Sequence, residues 1–329
     1  MSNDEQAGYG LRATGFAPKA HVLSNGRYVV AITDRGTGYS AYEGLALTRW
    51  APDRTRDADG LLVYVRDLDD GTWWTTGGTA AGRPAESAGG SAGSGYAAHG
   101  RTTAGIATEV EICVSPDDDA ELRRVTLSNE TDRARRLELS TYAELVLNTP
   151  AADASHPAFS KLFVQTGRLP GGEGLLAWRR LRSPDDQPLW VFHRLLAGDG
   201  SGGVECETDR ARFLGRGRST ADPRAMDAGA RLSGTVGNVL DPVFSLRRVV
   251  ELGPRARAEA MLVLGAARTR EAAEALAERY ADPGVAAAEL ERAKSGRGGN
   301  GPSGVEPLRV SLAYVGLTGA LLYGDPRLA

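Results

Sequence analysis

The sequence predicts a mainly β fold built from antiparallel sheets, and two patterns along the chain support this prediction. Short apolar or alternating runs recur between turn residues, without the regular alternation of strands and helices that parallel sheets require. Asn25-Gly26, Asp70-Gly71 and Asn129-Glu130 with the following Thr-Asp are predicted hairpin corners. The predicted strands are residues 28–33, 61–66, 107–114, 121–128, 136–147, 161–165, 189–195, 244–251 and 258–264.

The segments between and after these strands divide the chain. Residues 82–105 are rich in Gly, Ala and Ser and are predicted to form a flexible surface excursion, and residues 214–237 are predicted to form a second loop. Apolar residues at helical spacing predict helices over 269–280 and 285–294. The predicted organisation is a flexible tail over 1–20, a β-domain over 21–266, and linker helices with the beginning of a further domain over 267–329.

Composition limits the classes of partner. The chain has 329 residues, of which 41% are hydrophobic, enough for a sizeable core. Its net charge of −3 gives no overall attraction to nucleic acid or anionic lipid. The polar first residues are unlike a signal peptide, and no apolar run is long enough to cross a bilayer, so we expect a cytoplasmic location. Cys113 and Cys206 are isolated and are expected to be buried and reduced.

The richest stretch for ligand binding is residues 21–74, where aromatic side chains alternate with Arg, Asp and tight Gly turns. Sugar sites combine an aromatic platform with charged and amide groups that bind the hydroxyls around the ring. Trp74 and Arg54 belong to the same group, and adjacent Trp73 and Trp74 should point to opposite faces of a strand, so at most one is expected in the core. The candidate sugar-contacting residues are Tyr39, Ser40, Tyr42, Arg49, Trp50, Asp57, Arg66, Asp67 and Trp73.

A structural role for the same residues is equally open at this point. The aromatic side chains would then be core residues, and the Arg–Asp pairs would tie loops together. The four histidines lack the spacing of metal ligands. Asp117, Asp118 and Asp119 lack the alternating spacing of a calcium loop and are expected to form a solvated turn. No catalytic residue, metal site or cofactor is predicted, because no pair of carboxylates can be selected from the sequence.

A long collinear resemblance accompanies these local patterns. The chain resembles the N-terminal β-domain of glycoside hydrolase family 94, formerly glycosyltransferase family 36, in the form found in cyclic β-1,2-glucan synthases. The matching stretches are residues 23–28, 36–40, 48–50, 56–57, 64–67, 115–118, 138–147, 154–166, 207–218 and 235–248. The resemblance implies an antiparallel β-supersandwich of the galactose mutarotase type, then linker helices, then a catalytic (α/α)6 barrel.

In that family the barrel carries out inverting phosphorolysis or transfer on β-glucosides, with an Asp of the barrel as general acid and inorganic phosphate as nucleophile. The chain ends at Ala329, where the barrel would start, and its residues 296–304 and 308–322 look compressed relative to the family's linker. We therefore expect a truncated product without activity of its own. Phosphate would be a co-substrate only with a barrel. A loop of the family's β-domain approaches the barrel's sugar site, and residues 36–50 are the predicted counterpart.

Three functions remain open from the sequence. In the first, the chain is the sugar-side domain of a β-glucan phosphorylase or synthase, with a β-glucan and a barrel as partners. Alternatively, it is a stand-alone glucan-binding module, or a structural domain that forms homodimers.

Overall fold

Two antiparallel sheets form the body of the protein. The computed structural model describes residues 20–50, 58–78, 81–93, 95–181, 183, 186–197 and 203–295. Its strands are β1 (Ala20–Ser24), β2 (Tyr28–Thr33), β3 (Gly38–Tyr42), β4 (Leu45–Thr48), β5 (Leu62–Asp67), β6 (Trp73–Thr75), β7 (Ser87–Gly93), β8 (Tyr96–Thr103), β9 (Ile106–Val114), β10 (Ala120–Asn129), β11 (Arg135–Asn148), β12 (Val164–Arg168), β13 (Leu175–Arg179), β14 (Trp190–Ala197), β15 (Glu205–Asp209), β16 (Pro242–Leu252) and β17 (Arg257–Ala267). The helices are α1 (Pro150–Ser155), α2 (Pro157–Lys161), α3 (Arg210–Leu214), α4 (Arg270–Arg279) and α5 (Pro283–Lys294), with a 3-10 turn at Arg224–Met226.

The first sheet is organised around the long strand β11. Its main order is β1-β2-β3-β4-β11-β16-β15, and β5 pairs with both β11 and β6. Along one side of β11, residues 137–142 pair with β5, while Leu145 and Asn148 pair with β4. The other side of β11 pairs with β16. β11 therefore brings β3, β4 and β5 into one sheet, although β5 follows them in the chain after a gap.

The second sheet has eight strands in the order β12-β13-β14-β17-β10-β9-β8-β7. The two sheets pack face to face, and apolar side chains from alternate positions of each strand fill the space between them. In β5, for example, Val63 and Val65 belong to this core, whereas Leu62 and Tyr64 lie in a smaller cluster on the outer face of the first sheet.

Helices cover part of the outer face of the second sheet. Apolar residues of α4 and α5 pack against β10, β14 and β17. The N-terminus of α4 is capped by Thr269, whose side chain accepts from the Ala272 N–H, and that of α5 by Asp282. The hydroxyl of Tyr280, the residue after α4, donates to Asp118 at 2.6 Å and ties α4 to the turn between β9 and β10. Each carboxylate of that turn has an arginine partner: Asp117 pairs with Arg292, Asp118 with Arg279 and Asp119 with Arg27.

The structure confirms the mainly β, antiparallel fold class and most of the predicted strands. Three local predictions are wrong. Residues 82–105 contain β7 and β8, which pair with each other, and β8 also pairs with β9. Their Gly-rich composition has low strand propensity, but pairing within the sheet overrides it. Asn129-Glu130 is not a hairpin corner, because β10 and β11 lie in different sheets. Lys161 ends α2, and the strand predicted there begins only at Val164.

The predicted helices are confirmed as α4 and α5, and both cysteines are buried. Predictions for residues 1–19 and 296–329 lie outside the described residues. No helix in the described ranges is long and apolar enough to cross a membrane.

Candidate functional site

An aromatic pair lies on the outer face of the first sheet, where β3 and the end of β4 meet. The ring centroids of Tyr39 and Trp50 are 6.0 Å apart, and their planes are inclined by 34°. Tyr39 reaches this face because β3 alternates: Ser40 and Tyr42 point into the interior and Tyr39 points outward. Burial raises the pKa of Tyr39, so its hydroxyl stays protonated and can donate a hydrogen bond at neutral pH. Both rings are half-buried.

Arg49, next to Trp50, connects this pair to two carboxylates. Its backbone N–H donates to the Glu144 carbonyl at 2.9 Å, which continues the sheet one residue beyond β4. Its guanidinium binds Asp153 of α1 in a bidentate manner, at 2.7 and 3.2 Å, and Nε lies 3.1 Å from a carboxylate oxygen of Glu144. A bidentate pair of this kind holds the guanidinium plane in one orientation.

Glu144 is the centre of the charged group. Besides Arg49, it accepts from Arg210 at 2.6 Å and from the Tyr142 hydroxyl at 3.0 Å. Burial by itself would favour the neutral acid, but hydrogen bonds and charge from Arg210, together with Tyr142 and Arg49, outweigh it and lower the pKa of Glu144. Two carboxylates therefore face two guanidinium groups, and the site has many hydrogen-bonding groups but no excess of either charge.

Other candidate sugar-contacting residues lie in the interior. The Ser40 hydroxyl donates to Glu121 at 2.6 Å between the sheets. Tyr42 is also in the core, and burial raises its pKa to about 12. Asp67 is completely buried and forms an ion pair with Arg135, which is equally buried. Ser40 and Asp67 therefore have internal partners, and all three residues are buried.

Arg66 lies on the outer face of the first sheet but is covered. Its guanidinium donates to Glu138 at 2.9 Å and to the carbonyl of Asp227, in the segment that follows the 3-10 turn. Arg247 lies beside it and donates to the Ala225 and Ala230 carbonyls at 2.6 and 2.7 Å. The two buried arginines thus fasten residues 225–230 onto the sheet.

The two adjacent tryptophans behave as predicted. Trp74 is fully buried in the core, whereas Trp73 is half-buried at the edge of the outer cluster, with its ring 6.1 Å from that of Tyr64. Asp57 and Arg54 lie outside the described residues. The structure therefore brings Tyr39, Arg49 and Trp50 together, and it places Arg66 and Trp73 elsewhere on the same sheet.

Sequence reasoning selected none of Glu144, Arg210 and Asp153 for the site. These residues come from β11, α3 and α1, which are far apart in the chain. The available signal was the alternation of the strand predicted over 136–147, which places Glu144 on the face opposite the core residues Ala143 and Leu145. Its partner could not be chosen without the topology.

Apolar side chains are exposed beside the charged group. Asn148, at the end of β11, donates to Ser160 of α2 at 3.2 Å and so joins the two areas. Lys161 forms an ion pair with Asp241, which places Leu240 next to α2. The exposed large apolar residues of this area, called the apolar patch below, are Phe159 (50% exposed), Leu162 (45%), Leu181 (49%), Val236 (39%) and Leu240 (78%).

The fold and this outer-face site define the class: a large two-sheet antiparallel β-domain of the supersandwich type. The family described as "Glycosyl hydrolase 94, supersandwich domain" matches residues 11–283. The chain belongs to this family, which confirms the resemblance seen in the sequence.

Individual relatives agree with the family match. The "Cyclic beta-(1,2)-glucan synthase NdvB" of Rhizobium meliloti (strain 1021) is 39% identical over 263 residues, which are 80% of this chain and 9% of the relative. The "N,N'-diacetylchitobiose phosphorylase" of Vibrio proteolyticus is 25% identical over 81% of this chain and 33% of the relative. The "Solabiose phosphorylase" of Paenibacillus borealis is 24% identical, with 81% and 34% covered. The chain thus spans about a tenth of the glucan synthase and about a third of each phosphorylase.

Proposed function

We propose that this chain is the carbohydrate-binding β-domain of a β-glucan phosphorylase or glycosyltransferase of the cyclic β-1,2-glucan synthase type. The observation that carries the proposal is the Tyr39–Trp50 pair beside the bidentate Arg49–Asp153 pair, on an outer face of a glycosyl hydrolase 94 supersandwich. The similarity to a cyclic glucan synthase supports a β-glucan as the ligand.

The arrangement suits a neutral sugar. A pyranose ring presents C–H groups on its faces, which pack on an indole or phenol ring, and hydroxyls around its rim. Trp50 and Tyr39 would contact the ring face, while the Arg49 guanidinium and the Asp153 carboxylate would bind hydroxyls. Because the charges of the site balance, it favours hydroxyl ligands over strongly charged ones.

Catalysis is assigned to a partner domain. The phosphorylase relatives are about three times as long as their match to this chain. We propose that an (α/α)6 barrel supplies the general acid and the phosphate site, and that inorganic phosphate is a co-substrate only in its presence. The apolar patch next to the site is the surface proposed to meet the barrel, since exposed apolar clusters of this kind mark interaction sites. A cytoplasmic location is part of the same proposal.

The test is a titration of the purified chain with linear β-1,2-gluco-oligosaccharides, followed by tryptophan fluorescence and calorimetry, with β-1,3 and β-1,4 oligosaccharides for comparison. We expect saturable binding that prefers the β-1,2 linkage, and loss of binding in Trp50→Ala. The control is Trp178→Ala, because Trp178 stacks on Trp190 with centroids 4.9 Å apart on the other sheet.

The outcomes separate the open functions. Binding that survives Trp50→Ala but not Trp178→Ala would move the sugar site to the second sheet. Binding to the chain without a partner favours a stand-alone module or an enzyme's binding domain, and phosphate-dependent turnover with an added barrel then selects the enzyme. Absence of any response in a folded sample would contradict a sugar site in this chain and leave a structural or dimerisation role.

A further inference from the structure

Strand β7 forms an edge of the second sheet, and within the described residues it has none of the usual protections of an edge strand. It pairs with β8 over its whole length, from Ser87–Thr102 to Gly93–Tyr96, in a continuous register without a bulge. In the described part of the chain no backbone hydrogen bond reaches its other side. Its sequence, Ser-Ala-Gly-Gly-Ser-Ala-Gly, contains no charged residue and no proline, and most of the strand is exposed. Natural sheets usually block such an edge with Lys, Pro, a bulge or a covering segment.

The edges at the other end of the sandwich are covered. The Gly237 N–H and carbonyl pair with Thr166 of β12 at 2.9 and 3.1 Å, and the Gly234 N–H donates to Cys206 of β15 at 2.8 Å. Residues 234–237 therefore cover the terminal strands of both sheets at once. Strand β7, by contrast, has no such covering segment among the described residues.

The sequence of β7 is compatible with pairing to itself. A two-fold axis through Gly90 would place Ala88 opposite Ala92 of a second copy and Gly89 opposite Ser91. These pairs keep each face consistent, since alternate residues of a strand point to the same side. All the side chains are small and uncharged, so neither like charge nor bulk opposes close approach of the two backbones.

We infer that β7 is a dimerisation edge, at which two copies of this chain pair antiparallel and join their eight-stranded sheets into one continuous sheet. The occupant is a second copy because the pairing is self-complementary, as a two-fold interface requires. The Asp34 turn supports the strand from the interior side, where a Cβ on Gly90 would lie 2.9 Å from the Asp34 Cα, so β7 is held in place for pairing. The inference does not depend on sugar binding.

The experiment is sedimentation equilibrium of the full 329-residue chain from low to high micromolar concentration, with the variant Ser91→Lys. Ser91 is exposed, and the two-fold axis would bring two added lysines close together beside the pairing edge. We expect a reversible dimer in the wild type and a dissociation constant at least about tenfold higher in Ser91→Lys. Ala272→Lys, on the exposed side of α4, is the control and should dimerise like the wild type.

Hydrogen exchange provides a second measurement that does not depend on the variant. The β7 amides that face away from β8 should be protected at high concentration and exchange freely at low concentration. A wild-type chain that stays monomeric throughout would overturn the inference. So would a dimer that Ser91→Lys leaves unchanged and in which the β7 amides gain no protection.

Discussion

The hydroxyls of Thr166 and Thr208 lie 2.8 Å apart and join the terminal strand of one sheet to the terminal strand of the other. Thr166 belongs to β12 and Thr208 to β15, and both are buried. The Thr208 hydroxyl also lies 3.0 Å from the Thr235 carbonyl, while the Gly237 N–H donates to the Thr166 hydroxyl at 3.0 Å. This small polar group closes one side of the sandwich.

Replacing Thr208 by valine should destabilise the protein by about 1–3 kcal/mol, because the Thr235 carbonyl and the Thr166 hydroxyl lose a buried partner while the volume hardly changes. Urea unfolding measures the difference. Thr102→Val, at a half-exposed strand position, is the control and should stay close to the wild type. Equal stabilities of the two variants would show that the threonine pair does not stabilise the closure.

The buried ion pair between Asp67 and Arg135 predicts a larger loss. Both side chains are fully buried, and Arg135 Nε lies 2.5 Å from the Asp67 carboxylate. Asp67→Asn keeps the shape but leaves the guanidinium without its counter-charge, so we expect a loss of about 3–5 kcal/mol in unfolding free energy. Asp132→Asn breaks the exposed Asp132–Arg255 pair and should have no measurable effect. A small loss in Asp67→Asn would mean that water reaches the pair.

Acid should destabilise the protein through His193 before most carboxylates titrate. His193 is buried: Nδ1 donates to the Val263 carbonyl and Nε2 lies 3.0 Å from the Thr141 hydroxyl. Burial lowers its pKa to about 4, and the hydrogen bond to Val263 offsets this only in part. Between its unfolded pKa of about 6.5 and its folded pKa, the unfolded chain binds the extra proton, so stability falls as pH falls.

The test compares unfolding free energies at pH 7 and pH 5. His193 should contribute about 2 kcal/mol of the loss over this range. His193→Gln should show a flatter pH profile by about that amount, whereas His156→Gln, at an exposed position, should keep the wild-type profile. Buried His99, whose pKa burial lowers to about 3, contributes to the remaining slope in all three proteins. Parallel profiles for His193→Gln and wild type would contradict the assignment.

Gly38, immediately before Tyr39, should tolerate no side chain. A Cβ at this position would lie 1.9 Å from the Ala31 carbonyl oxygen of β2. Gly38→Ala must push β2 and β3 apart, and we expect a loss of about 3 kcal/mol or more. Gly44→Ala is the matched control, since its Cβ would meet nothing within 4 Å and only its φ of +80° is unfavourable. That variant should lose about 1 kcal/mol. Similar losses would mean that backbone strain, not the clash, decides.

Elements with strong local patterns can be predicted from the amino-acid sequence alone. The strand predicted over 28–33 matches β2, and the alternation over 136–147 and the helical spacing over 269–280 correspond to β11 and α4. Alternation also predicted that Trp73 and Trp74 separate, with one in the core. These features follow from side-chain periodicity, which each segment carries without reference to the rest of the chain.

The remaining features depend on tertiary structure, because no local pattern encodes them. Residues 87–103 became strands because pairing with β9 overrides their Gly-rich composition, and β10 and β11 separated into different sheets. In β3, Tyr39 points outward whereas Ser40 and Tyr42 point inward. Neighbouring residues of one predicted site therefore lie on opposite faces of the sheet. Arg49 contacts Glu144 and Asp153 only because β4 pairs with β11 and because α1 follows β11 in the chain. Faces and long-range partners depend on strand order, and strand order is set by packing of the whole chain.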